Sequence, residues 1–300
     1  MRTFLFATAL LAAAPAAACA QDNETRQRID TTFAFDKGGS VDLGQLSGEI
    51  IVTGWTKPEV RILATIETGY LESSLSSSRV RIAARPRRNR MGHSRFELSV
   101  PIGTQVRATT VSGNIAVRGT AGEVSVNSVS GDVEVRDATR TEIGTVSGEV
   151  RAEKLRGTVR ARSVSGDITL DDVVGELRGK TVSGELLAHG TLAGLEFESV
   201  SGGFEFRGDL KGAGEYSINS HAGDIRLVLP ANFAASLDVS TFSGDFRTEF
   251  PLTLQPGERS RIRNRRLQTT MNGGGPRISL ETFSGDIIIN KGAPRSNKED

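Results

Sequence analysis

The sequence predicts an all-β chain: a parallel β-solenoid or β-helix with rungs of about 18 residues and an N-terminal β cap. The first observation behind this is a five-residue phrase said three times, Val146-Ser147-Gly148-Glu149-Val150, Val164-Ser165-Gly166-Asp167-Ile168 and Val182-Ser183-Gly184-Glu185-Leu186, with each copy starting 18 residues after the last. The second is that the phrase extends outward. Ser-Gly stations or their variants begin at residues 112, 130, 147, 165, 183, 201, 222 and 243, in steps of 18, 17, 18, 18, 18, 21 and 21, with an earlier station at Ser47-Gly48 and a later one at Ser284-Gly285. A fixed period of this size marks a chain that stacks one supersecondary unit on the next. The third is that apolar residues inside each copy alternate with period two, while no window carries a 3.6-residue stripe.

From its start the chain divides as follows. Residues 1–20 have the charged, apolar and small-residue parts of a secretory signal peptide: Arg2, then Phe4 to Leu11, then an alanine run. The stretch is too short for a membrane span, and no transmembrane helix is expected after it. Two processing routes fit. Ala18-Cys19-Ala20 is a site that releases a chain beginning at Gln21, and Ala16-Ala17-Ala18-Cys19 is a weak lipobox that makes Cys19 a lipidation site and a peripheral anchor. Cys19 is the only cysteine, so the mature fold holds no internal disulfide and no thiolate metal site.

Residues 21–30 read as a polar, disordered linker, and 31–105 as the β cap. Thr31 to Phe35, Ser40 to Leu43, Glu59 to Ile66, Arg79 to Ala83 and Phe96 to Val100 alternate as strands do. Trp55 to Glu59 reads as a turn, and the serine-rich Leu71 to Ser78 and arginine-rich Arg85 to Arg95 read as loops. The cap protects the first rung from recruiting other chains at its edge.

Residues 106–290 are the solenoid. Counting each station Ser as zero, the apolar residues at minus one, plus three and plus five, such as Val164, Ile168 and Leu170, form by period two one inward face of a strand. The Gly at plus one falls on that face, where a missing side chain admits close approach. A second apolar pair at plus twelve and fourteen, such as Val159 and Ala161, marks a second strand, with Gly122, Gly157, Gly175 and Gly194 at the corners between the two. Inward Phe197, Phe204, Phe206, Phe233, Phe242 and Phe246 widen the core toward the C-terminus. The 41-residue step from Ser243 to Ser284 holds two rungs or an excursion, and 291–300 is a polar tail.

These stations, the opening Ser47-Gly48-Glu49-Ile50-Ile51-Val52-Thr53-Gly54-Trp55 and the lead-in Val100-Pro101-Ile102-Gly103 resemble the bacterial "putative adhesin" β-strand-repeat family, domain of unknown function 4097, over roughly residues 30 to 290. The resemblance implies an exported, solenoidal, non-enzymatic protein, and it carries over no catalytic residues.

Chemistry is sparse. Lys and Arg number 37 against 36 Asp and Glu, which gives no global pull toward nucleic acid, and none is expected as a partner. The plus-two residues Asn114, Asp132, Glu149, Asp167, Glu185, Asp224, Asp245 and Asp286 make a carboxylate row about 4.8 Å apart. The row reads either as a cation or glycan site or as turn chemistry, in which short polar side chains bond the backbone at a bend. The clusters at 85–95 and 259–266 read as solvated charges or as an anion-binding face, the latter carried by Arg261, Arg263, Arg265 and Arg266. His93, His189 and His221 form no metal motif. Arg160, Arg162, Arg178 and Lys180 with Glu196 and Glu198 read as cross-rung salt pairs or as the face of a polysaccharide-active enzyme. No cofactor is expected. The function expected is structural or adhesin-like work in the cell envelope. The alternatives are a binding module for an anionic polymer or glycan and a polysaccharide-active enzyme, and the expected partner is an envelope polysaccharide or another envelope protein.

Overall fold

The computed structural model describes residues 27–87, 92–212, 214–254 and 266–292. Its strands are β1 (Gln27–Ala34), β2 (Ser40–Trp55), β3 (Glu59–Ile66), β4 (Tyr70–Leu75), β5 (Arg79–Arg85), β6 (Ser94–Pro101), β7 (Gln105–Arg118), β8 (Val124–Ser130), β9 (Val133–Ser147), β10 (Val150–Ser163) and β11 (Ile168–Thr181). They continue with β12 (Leu186–Ser199), β13 (Phe204–Leu210), β14 (Tyr216–Ser220), β15 (Ile225–Pro230), β16 (Ala235–Thr241), β17 (Phe246–Thr248), β18 (Leu252–Leu254), β19 (Arg266–Met271), β20 (Arg277–Thr282) and β21 (Ile287–Gly292). The described residues contain no helix.

The period becomes parallel pairing in register. Ile168 of β11 lies between Val150 of β10 and Leu186 of β12, and Leu177 lies between Val159 and Leu195. Residues at plus three and plus five are buried in every central rung, and so are those at plus twelve and fourteen except after Ser130, where the 17-residue step moves the second pair to Thr141 and Ile143; among the buried side chains are Val133, Val135, Val150, Val159, Ala161, Ile168, Leu170 and Phe197. Each such Val, Leu or Ile contributes about 1.5–3 kcal/mol of transfer free energy. Toward the C-terminus the core does take larger groups. Phe197 and Phe204 stack at 4.6 Å, and Tyr216 is buried with its hydroxyl donating to the Lys211 carbonyl at 2.9 Å. Besides the glycine corners Gly157 and Gly175, the backbone turns through positive φ at plus seven, at Asp137, Lys154 and Asp172. No glycine marks those positions in the sequence.

Both ends depart from chain order. β2 stacks parallel on β7, from Ser40 opposite Gln105 to Thr53 opposite Arg118, and the β5 and β6 rung lies outside β2. The rungs therefore begin at residue 40 rather than 106, and Ser47-Gly48 is a true station. The cap is smaller than the sequence implied: β1 on β3, β3 on β6 and β4 on β5, all antiparallel. At the other end the last rung in sequence, β20 and β21, is inserted between the rung of β14 and β15 and that of β16 and β17. The 41-residue step is an excursion that includes β18 and β19, which run antiparallel at the edge.

Two readings of irregular segments are corrected. Gln27 to Asp30, expected in the linker, pair with Leu63 to Ile66. Leu71 to Leu75, expected as part of the loop from Leu71 to Ser78, pair with β5. Both are edge strands with little burial, so their residues needed no apolar alternation. The Trp55 turn is as expected, with the indole Nε1 donating to the Glu59 carbonyl at 2.7 Å. Of the expected tail 291–300, Lys291 and Gly292 instead end β21, paired with Leu229 and Pro230; its remainder, the expected signal peptide and most of the expected linker lie outside the described residues.

Candidate functional site

The feature that runs the length of the molecule is the Ser-Gly corner. Its glycines stack on one another without room for a side chain. A Cβ on Gly166 would lie 2.0 Å from the Gly148 carbonyl oxygen, one on Gly184 2.1 Å from that of Gly166, and one on Gly202 2.1 Å from that of Gly184. The column continues from Gly48 to Gly285 and ends at Gly244. The glycine is required by the approach of the neighbouring rung, not by that of an opposite wall.

The polar groups around it are consumed locally. At minus two the hydroxyls of Ser163, Thr181, Ser199, Ser220 and Thr241 accept from the amide of the plus-one glycine at 2.7–3.0 Å. The station hydroxyls of Ser165, Ser183 and Ser201 donate to the minus-one carbonyls of the preceding rung at 3.1–3.3 Å. At plus two, Asp132, Asp167, Asp224 and Asp286 Oδ1 accept from the plus-two amide of the neighbouring rung at 2.8–3.1 Å, and Asn114 does the same. These five members of the row thus do turn chemistry, Glu149 and Asp245 pair instead with Arg151 and Arg247, and no group of His, Cys, Asp and Glu suited to a metal occurs among the described residues.

What remains facing outward is apolar. The minus-one residues, expected inside, are exposed: Leu46, Val111, Val129, Val146, Val164, Val182, Val200, Phe283 and Phe242 are 42 to 56% accessible. Period two does not survive a corner. The inward minus-two hydroxyl is followed by two outward residues before the glycine, so the phase resets between strands. Read through the stack with His221 between Val200 and Phe283, these side chains form a ridge ten rungs long, about 43 Å at ~4.8 Å per rung. His221 stacks on Phe283 at 4.9 Å and 8°, and Phe283 on Phe242 at 4.7 Å and 7°. An open groove of about 900 Å³ follows this end, with Glu198, Asn219 and Glu281 along it. The sequence carried the signal for the ridge, an apolar residue before every Ser-Gly, but the alternation assigned it to the core.

The arginine face is only partly visible. Arg261, Arg263 and Arg265 lie outside the described residues, as does Cys19. Arg266 is held by Asp238, Nε to Oδ1 at 2.8 Å and Nη2 to Oδ2 at 2.6 Å, and Arg277 and Gln268 donate to the same carboxylate at 2.9 and 3.2 Å. Asp238 is 5% exposed. The hydrogen bond from Arg266, with those of its neighbours, holds its pKa at about 2 against an ordinary 3.8. In the N-terminal cluster Arg85 pairs with Glu72 and Arg95 with Glu49, each at 2.9 Å. The face raised as enzymatic is cross-rung pairing: Arg162 with Glu142 at 2.8 Å, Lys180 with Glu198 at 2.7 Å and Arg178 with Glu196 at 3.6 Å. On the other face Arg118 hydrogen-bonds Glu134 and lowers its pKa. Such exposed pairs contribute little each. His189 Nδ1 lies 2.7 Å from Asp171 Oδ1, and the carbonyl of His93 accepts from the Glu67 amide.

The profile of the family described as Toastrack DUF4097 matches residues 46–290. No curated protein matches. Among solved structures, a "putative cell adhesion protein" from Clostridium sporogenes is 7% identical, with 89% of this chain and 100% of that one covered and a TM-score of 0.23. A "putative lipid binding protein" from Parabacteroides distasonis is 14% identical over 90% and 98% at 0.43, and a "putative adhesin" from the same species 10% identical over 89% and 97% at 0.35.

Proposed function

The chain belongs to the Toastrack DUF4097 family, and from that premise we propose that it is an exported, non-catalytic solenoid of the bacterial cell envelope, structural or adhesin-like, that works by lengthwise contact. The observation that carries this reading is the ridge. Most polar groups of the corner have a task inside the stack, Gln45 Nε2 and the Thr110 and Thr145 hydroxyls being buried without a partner among the described residues, and the fold gives no reason for an apolar side chain at nearly every exposed step. A contiguous apolar strip of several hundred Å² on a soluble surface marks an interaction site. Support for export comes from the leader, Arg2 with the apolar run to Leu11 and the Ala18-Cys19-Ala20 site.

Replacing Val129, Val146, Val164 and Val182 together by Thr keeps the β-branched shape and removes apolar surface. The variant is expected to be exported and to melt like the parent, and to lose co-sedimentation with the envelope fraction. Undiminished co-sedimentation contradicts the contact reading. A cytoplasmic, uncleaved chain contradicts export, and the intact mass of the mature protein separates a start at Gln21 from a lipidated Cys19.

A further inference from the structure

The ridge constrains what can cover it. Its side chains recur once per rung, so a partner must offer apolar groups at the same ~4.8 Å interval over ~43 Å. An irregular surface meets that interval at one or two positions, whereas another stack of rungs meets it throughout, as in-register sheets do when they face each other. Half exposed, the ridge side chains leave roughly 500 Å² of apolar area. With the flanking serine and acidic rows the strip reaches about the 800 Å² that each partner gives to a stable interface.

We propose that the ridge is the interface of a homodimer, in which two copies of the chain lie side by side and point the same way about a two-fold axis parallel to the stack. The proposal rests on the contact reading above and names its partner. Charge decides the direction. One flank of the ridge carries the acidic row through Glu149, Asp167 and Glu185, and the other, three residues before the stations, carries Arg162 and Lys180 at mid-ridge and Glu198 and Glu281 toward the C-terminal end. An axis along the ridge lays Asp167 and Glu185 of each copy over the other's Arg162 and Lys180, and meets like charges only where Glu281 faces Asp286. An axis across the ridge lays acids on acids and cations on cations, which opposes like charges directly. Arg162 and Lys180 each hold one glutamate at 2.7–2.8 Å, and with five and three donors they retain capacity for a second.

Sedimentation velocity on the exported, processed chain at micromolar concentration is expected to give twice the monomer mass. Val146→Lys with Val164→Lys should return it to monomer with unchanged circular dichroism and melting, because both side chains are exposed. Neither processing route leaves a free thiol at Cys19, so a single introduced cysteine reports direction. Val200→Cys is expected to link to its own counterpart under mild oxidation, whereas in the reversed arrangement it stays unlinked and pairs with Val146→Cys on mixing. A monomer throughout, a dimer indifferent to the two lysines, or the Val200–Val146 link overturns the proposal. A monomer whose Val→Thr variant still loses the envelope overturns this inference alone. A dimer whose Val→Thr variant keeps its envelope retention overturns the envelope reading alone.

Discussion

The amide of Gly166 donates to Ser163 Oγ at 2.8 Å, and the same hydroxyl donates to the Gly166 carbonyl at 2.7 Å. This closed pair turns the chain at the corner and satisfies the buried hydroxyl of Ser163. Ser163→Ala should therefore cost about 1–3 kcal/mol, the range for leaving a buried partner unsatisfied. Chemical denaturation checks the value, and a loss within error would mean the hydroxyl is incidental.

Close stacking of the glycine column makes a sharper demand. A Cβ at Gly166 meets a carbonyl oxygen at 2.0 Å, while one at Gly203 meets only ordinary contacts at 3.7 Å and beyond. Gly166→Ala is expected to destabilise by about 3 kcal/mol, as overpacking against backbone does, and Gly203→Ala to stay near the parent. Equal melting points for the two variants would contradict the column.

The architecture was legible because period and register are the same fact: an 18-residue step puts Ile168 beside Val150 whatever the side chains do. The plus-two row was legible as turn chemistry because an Asp beside a Gly has few other uses at a bend. The ridge was misassigned because alternation is a rule for strands, and Val164 sits where the strand has stopped. The insertions of β2 and of the β20–β21 rung were hidden for another reason. Equivalent stations can stack in any order, and nothing local in Ser47-Gly48 or Ser284-Gly285 records which neighbour each one takes.

Asp238 makes stability depend on pH. Its pKa is lowered from 3.8 to about 2, so its stabilisation is full above about pH 4 and is lost as pH falls through 2. The shift corresponds to about 2 kcal/mol at neutral pH. Asp238→Asn should lower stability by that order at pH 7 and match the parent near pH 2. A constant difference across the range would remove the Arg266 and Arg277 pairing from the account.

Arg266 is occupied by Asp238, so the anion-binding reading of its cluster falls on the residues before it. Changing Arg261, Arg263 and Arg265 to Gln tests that reading without disturbing the buried carboxylate. If the cluster binds anions, salt-sensitive retention on an acidic polysaccharide column drops at an unchanged melting temperature. Unaltered retention leaves these arginines as solvated charge.

The stack itself is tested by two deletions. Removing Ser147 to Val164 takes out one rung and joins Val146 to Ser165, so that β9 meets β11 with Val133 beside Ile168 and the glycine column closes from Gly131 to Gly166. Removing only the nine residues Ser147 to Leu155 takes out the Gly148 station and half a rung, which carries inward side chains out of register with both neighbours. Circular dichroism and thermal melts of the two proteins are the most direct measurement of the account. The longer deletion is expected to fold with the loss of about one rung's stability and the shorter one to be far more damaged. Equal folding of the two, or a worse outcome for the longer, would contradict a solenoid of in-register rungs.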